Sequence, residues 1–381
     1  MTATKMKSEL TIDSRFAEQY SNLEQVFLYV VDRCNLHCVQ CLYKPLLQRQ
    51  SAKKEINTDL ALSLLCAFHS LGATKLTILG GEPTLYGVEK AHEPLLLLIR
   101  KAKEYGYQYV RIDTNGVFPR ELLHKDATRR LDEISFSLDG PSPEVNDLVR
   151  GAGTYARCTA NIRAAVALGY RVHVTCCVHR GFLTASSGPV RMVEKFVELM
   201  DNMGVHQVNF HPVFKMGVAR DTWTGETDIS PDTWVQIRQA LGRNVGNGRY
   251  KVLIRLPSRF ITETEFNQNM EYYGYCSVKL GERILVHPDG RLRTCALSIG
   301  TPYGVGTYDE HRIKWDESEY NEIRLQNMKN PTPCTVQCRH TEGLVPLCIS
   351  LKPHQDEFVW SKKIEWDVRF NANRVATPSK P

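Results

Sequence analysis

Asp32-Arg33-Cys34-Asn35-Leu36-His37-Cys38-Val39-Gln40-Cys41 closes a β-rich run that begins at Val26. The cysteines are spaced Cys-x3-Cys-x2-Cys. Three thiolates carried by one loop at a strand end can bind three irons of a [4Fe–4S] cluster. The fourth iron is then left open for a small molecule. A structural zinc site is the alternative reading of the spacing, with His37 placed to compete as a ligand, because zinc wants four ligands in a closed shell. Three unrelated buried thiols are the other alternative.

Working outward from that loop, strand-like and helix-like segments alternate as far as Val213. The strand candidates are Val26–Arg33, Leu76–Gly80, Tyr109–Thr114, Glu133–Leu138, Arg171–Val178 and His206–His211, each a short β-rich run near a turn signal. The helix candidates are Asn57–Leu71, His92–Tyr105, Tyr155–Leu168 and Val190–Met203. The first opens on an Asn-Thr capping pair and stops at Gly72, and the last follows Pro189. Strands alternating with helices specify an α/β fold with a parallel sheet and right-handed crossovers, a partial (β/α)6 barrel. Ligands of such sheets bind at the carboxyl ends of the strands. The expected organisation is an N-terminal arm at 1–25, the barrel at 26–215, and a linker at 216–250 carrying a helix at Asp228–Asn247. A loop-rich domain follows at 251–350, with hairpin signals at Ile284–His287, Pro288-Asp289-Gly290 and Arg291–Thr294, then a tail at 351–381.

The 381 residues are 42% hydrophobic and 24% charged, which excludes collagen, coiled coil and wholesale disorder. No run of about 18 apolar residues is present, so no membrane partner is expected. The first residues lack an apolar signal region, and a cytoplasmic location is the expectation. A net charge of +6 is too mild to indicate nucleic acid. Twelve cysteines in such a chain point to metal rather than disulfides.

Gly80-Gly81-Glu82-Pro83 follows the second strand at the same carboxyl-end edge, and glycines there give a ligand room to approach the backbone. Joined to the cysteine spacing, this segment resembles the radical S-adenosylmethionine (SAM) superfamily over about residues 26–213. The resemblance makes Cys34, Cys38 and Cys41 cluster ligands, with SAM chelating the fourth iron. It implies that one electron cleaves SAM to methionine and a 5′-deoxyadenosyl radical. It also implies that Gly80, Gly81 and Glu82 hold the methionine amino group, that Asp113 and Asn115 lie near the ribose, and that Ser137 ends the fourth strand. Arg150 resembles a partner of the SAM carboxylate. The family's usual aromatic residue before the third cysteine is Gln40 here, and Tyr43 is the substitute expected at the adenine.

Cys276, Cys295, Cys334, Cys338 and Cys348 form a second cluster. A hairpin with two thiolates plus a nearby pair can close an auxiliary iron–sulfur or zinc site. The Cys-x13-Gly-x4-Cys pattern resembles the SPASM extension or its shorter twitch form. That resemblance implies one auxiliary [4Fe–4S] cluster on Cys276, Cys295, Cys334 and Cys338, with Cys348 as the alternative fourth ligand.

Strand alternation sends His173, Thr175 and Cys177 to the pore, and Val172, Val174, Cys176 and Val178 to the helices. By the same rule Arg111, Asp113 and Asn115, then Ser135, Ser137 and Asp139, then Asn209 and His211, face inward. Cys66 and Cys158 are expected in helix packing. Cys177 is a candidate hydrogen-atom donor and His211 a candidate base, against the plainer readings of a small buried hydrophobe and a structural histidine. Similar enzymes act on aminocyclitols or aminoglycoside sugars in antibiotic biosynthesis, or mature peptides. With only 33 residues before Cys34, no peptide-recognition domain is expected ahead of it. The expectation is therefore an oxidoreductase or epimerase acting on a small-molecule substrate, with a flavodoxin- or ferredoxin-type reductant. Epimerisation leads; dehydrogenation through the auxiliary cluster, peptide maturation and a non-enzymatic zinc scaffold are the alternatives.

Overall fold

The computed structural model describes residues 10–43, 55–183, 187–213, 231–246, 248–255, 260–262, 275–276, 281–295, 304–316, 344–346 and 351–352. The chain opens with β1 (Thr11–Ile12) and α1 (Ser14–Gln19), then β2 (Gln25–Val31). Next come α2 (Thr58–Ser70), β3 (Lys75–Gly80), α3 (Glu93–Glu104), β4 (Tyr109–Thr114) and β5 (Glu133–Ser137). They are followed by α4 (Pro143–Arg150), α5 (Thr154–Ala167), β6 (Val172–Val178), α6 (Gly188–Asn202), β7 (Gln207–Pro212), α7 (Pro231–Gly246) and β8 (Leu253–Arg255). The later strands include β9 (Phe260–Thr262), β10 (Tyr275–Cys276), β11 (Arg283–Val286), β12 (Arg291–Arg293), β13 (Gly306–Tyr308) and β14 (Arg312–Trp315).

β2 to β7 lie side by side in chain order, all parallel, and β8 adds parallel to β7. The expected α/β sheet is therefore present, and it is unclosed. On its other side β2 pairs parallel with β11, Ile284 opposite Val26 and Val286 opposite Leu28. The sheet then continues through β12, β13 and β14 to β1, twelve strands in all. The expected hairpin is β11 and β12, and Gly290 turns it at φ 82°, a left-handed conformation that suits glycine.

The helices pack by their apolar stripes. Asn57 Oδ1 accepts from the Leu60 N–H at 3.2 Å and starts α2, which buries Ala61, Leu64, Leu65 and Phe68. α6 buries Val193, Phe196, Val197 and Met200 at the same spacing. The outward residues of β6, Val172, Val174, Cys176 and Val178, join this core, as does Cys158. Cys66 does not: it falls off the α2 stripe and is exposed, contrary to the packing role expected for it. Within residues 1–25, Asp13 caps α1, whose Phe16 stacks on Tyr20 at 4.7 Å between ring centroids. Among the described residues no helix is long and apolar enough to cross a membrane.

Candidate active site

The cysteine loop lies at the carboxyl end of β2 and is tied down at several points. Val39 N–H donates to Val149 O near the end of α4 at 3.0 Å. Asn35 donates through Nδ2 to Val117 O at 2.8 Å and accepts from Asn115 Nδ2 at 2.7 Å. Gln40 Nε2 donates to Asp139 Oδ2 at 2.6 Å. Cys34, Cys38 and Cys41 are partly buried and in no disulfide. Leu36 N–H and Asn115 Nδ2 approach Cys34 Sγ at 3.4 and 3.8 Å, and donors aimed at a sulfur favour its thiolate. Burial pushes the Cys34 thiol up to about 12 and raises Cys38, so these groups keep their protons until a metal displaces them.

Among the described residues no three His, Cys, Asp or Glu side chains gather about a single ion position. A [4Fe–4S] cluster gives each thiolate its own iron. Three thiols on one loop, with N–H donors at a sulfur, fit the cluster.

Gly80 and Glu82 build the neighbouring strand end. A Cβ on Gly80 would lie 2.5 Å from Val31 O, so this glycine, read from the sequence as room for a ligand, is used for the approach of β2. Gly81 N–H donates to Val31 O and Glu82 N–H to Arg33 O, both at 2.9 Å. The Glu82 side chain is fully buried. Its Oε1 accepts from Thr84 N–H (3.1 Å), Thr84 Oγ1 (2.7 Å) and Thr114 Oγ1 (2.7 Å), and its Oε2 from Asn115 N–H (2.7 Å). Burial raises its pKa, and these four donors oppose that shift.

Below that edge, Arg111 Nε of β4 meets Asp113 Oδ1 at 2.7 Å, and Asp113 remains partly exposed. Glu133 accepts from His173 Nδ1 at 3.2 Å and faces Arg111 and Arg171. Burial opposes its charge, yet His173 and Arg111 bring its pKa down to about 2. Ser137 pairs in register with Thr175 and Thr175 with Asn209, and one step on Cys177 pairs with His211. Burial pushes the Cys177 thiol upward, with Asp139 adding to the effect and Arg150 opposing it. Burial and the nearby Arg255 bring His211 down to about 4, leaving a neutral imidazole. Arg150 Nε contacts Asp139 Oδ2 at 2.6 Å. The structure thus gathers Cys34, Cys38, Cys41, Glu82, Asn115 and Arg150 around one edge, with Cys177 beside them.

Sequence reasoning passed over Asn35, Glu133 and the joining role of Asp139. Asp139 carried a signal, its inward parity on the fourth strand; Asn35 carried none. Tyr43, the expected adenine contact, receives the Tyr29 hydroxyl at 2.9 Å. Tyr29 also stacks on His287 of the C-terminal hairpin, with ring centroids 4.0 Å apart. Cys295, partly buried, follows β12, and Cys276 ends β10. Cys334, Cys338 and Cys348 lie outside the described residues.

Residues 28–183 match the Radical SAM superfamily. Over those residues the chain is a radical SAM domain. Its cofactors are those of the family, SAM and a [4Fe–4S] cluster. A probable GTP 3′,8-cyclase of Saccharolobus solfataricus is 23% identical to this radical SAM protein over 275 residues, 72% of this chain and 82% of that one. A GTP 3′,8-cyclase of Limosilactobacillus fermentum is 31% identical over 156 residues, 40% of this chain and 45% of that one. Among solved structures, Streptococcus suis SuiB bound to S-adenosylmethionine superposes with a TM-score of 0.58 at 14% identity, covering 80% of this chain and 68% of its own. Native anSMEcpe with bound AdoMet gives 0.60 at 17% identity, with coverage of 92% and 99%. At those identities the two structures establish the shared fold.

Proposed function

We propose that this radical SAM enzyme abstracts a carbon-bound hydrogen from a small polar substrate of carbohydrate or aminocyclitol type, and completes an epimerisation by hydrogen donation from Cys177. Cys34, Cys38 and Cys41 would hold the cluster, which when bound would supply the electron for reductive cleavage of SAM. Arg150 would meet the SAM carboxylate, the backbone of the Gly80-Gly81-Glu82 segment the amino group, and Asp113, Asn115 and Ser137 the nucleoside side.

One observation carries the reading: the inward Cys177 thiol, whose surroundings keep it as S–H. Hydrogen-atom donation needs the S–H bond, which a thiolate lacks. The S–H bond breaks, a new C–H bond forms on the face opposite the abstraction, and a sulfur radical remains. One electron from a flavodoxin- or ferredoxin-type reductant and one solvent proton restore the thiol. Neutral His211, opposite Cys177, is placed to accept a hydroxyl hydrogen bond. Cys276, Cys295 and Cys334, with Cys338 or Cys348, complete an auxiliary cluster in this reading.

A second reading, cyclisation of a purine nucleotide, is favoured by the alignment with probable GTP 3′,8-cyclases over 72% of the chain. Turnover of candidate aminocyclitols and of GTP in deuterium oxide separates the two. Epimerisation places one solvent deuterium on the product carbon, and Cys177→Ala still forms 5′-deoxyadenosine but no epimer. A cyclised nucleotide, or an epimer made equally by the variant, would overturn the Cys177 reading.

A further inference from the structure

Asp139 is fully buried just beyond β5, and three separate parts of the site meet on its carboxylate. Oδ1 accepts the Cys177 backbone N–H at 2.7 Å. Oδ2 accepts from Gln40 Nε2 of the cysteine loop at 2.6 Å and touches Arg150 Nε of α4 at 2.6 Å. Its own backbone is held equally firmly. Asp139 N–H donates to Asn146 Oδ1 at 2.9 Å, and Asp139 O accepts from His179 Nε2 at 2.9 Å. His179 Nδ1 accepts from Gly181 N–H at 3.0 Å, so Nε2 is the nitrogen that carries the proton.

Such an arrangement is more than local satisfaction of a buried charge. A carboxylate can balance one guanidinium with no contact to the strand beyond it. Here the same carboxylate also holds the loop at the residue before the third cysteine and the backbone of the thiol-bearing residue. Charged acceptors make the stronger hydrogen bonds, and bonds in a buried network reinforce one another.

We propose that Asp139 is a positioning residue that links SAM binding at Arg150 to the placement of Cys177. This rests on the reading of Arg150 and Cys177 given above. Gln40 then has a role here: it takes the position of the family's aromatic residue and anchors the loop to the same carboxylate.

The test uses the anaerobically reconstituted full chain and SAM itself. Equilibrium dialysis gives the SAM dissociation constant, and amide hydrogen exchange follows the Cys177 N–H. Asp139→Asn keeps the shape but loses the charge facing Arg150, and its amide nitrogen sets a donor against another donor. SAM should bind about 10-fold more weakly, and the Cys177 amide should exchange at least 10-fold faster. In an Arg150→Ala background the same substitution should change SAM affinity less than 2-fold, because interacting residues are non-additive. Asp139→Ser removes the charge without adding an amide donor; it should show the same two changes and carries the test if Asp139→Asn does not retain iron. Unchanged affinity and exchange in Asp139→Asn or in Asp139→Ser overturns the coupling. Failure of the unsubstituted protein to bind SAM would overturn the site reading instead.

Discussion

Both carboxylate oxygens of Glu82 are occupied by donors from the carboxyl end of β4 and the turn between β3 and α3. Truncation would strand those donors in a buried place. Glu82→Ala should therefore cost about 2–4 kcal/mol of stability, read by urea unfolding, and Glu82→Gln about half of that. At the same scale, His211 is held neutral with a pKa near 4, against 6.5 for an ordinary histidine. An unfolded chain takes up a proton there first as pH falls, so the folded state loses stability progressively from about pH 6.5 down to 4. Glu133 works lower: its stabilising charge is present above its unfolded value near 4.5 and is lost as pH falls toward about 2. His211→Asn should flatten the stability profile between pH 6.5 and 4, measured by urea midpoints at half-unit steps. An unchanged slope would mean that the imidazole is not buried neutral.

Between elements, the β2–β3 contact controls the cysteine loop, because both the loop and Gly80-Gly81-Glu82 hang from adjacent strand ends. Gly80→Ala must push β3 away from Val31 O. It should destabilise by about 1–3 kcal/mol, the usual cost of overpacking, and lower the iron retained after reconstitution. Full iron with unchanged unfolding would contradict that placement. The strands around this contact were legible in the sequence because their β-rich runs end in turn signals, and α2 because its apolar stripe and Asn57 cap agree. α4 was not legible: Pro143–Arg150 is short and largely polar. Nor could local pattern show that β11 joins the edge of β2, since that pairing links residues over 250 positions apart. The inward set on β6 was readable by parity alone, yet the Gln40–Asp139 contact spans 99 positions and left no periodic trace.

Across the whole molecule, one sheet connects the two cysteine-bearing regions. The strand that leads into the first cysteine loop is flanked by β3 on one side and β11 on the other. In the proposed reading, two clusters bring about 8 iron and about 8 sulfide per chain. Cys295→Ala should lose about half of both while SAM cleavage with dithionite partly persists, because the first cluster remains. Unchanged iron would remove Cys295 from the ligand set. The most direct measurement is 5′-deoxyadenosine formed from SAM and dithionite by the reconstituted chain and by its variant with Cys34, Cys38 and Cys41 all replaced by Ala. The unsubstituted chain should form 5′-deoxyadenosine and the triple variant none, while the variant keeps about half the iron. Cleavage that survives in the triple variant, or a protein holding stoichiometric zinc and no sulfide, would contradict the assignment of these cysteines.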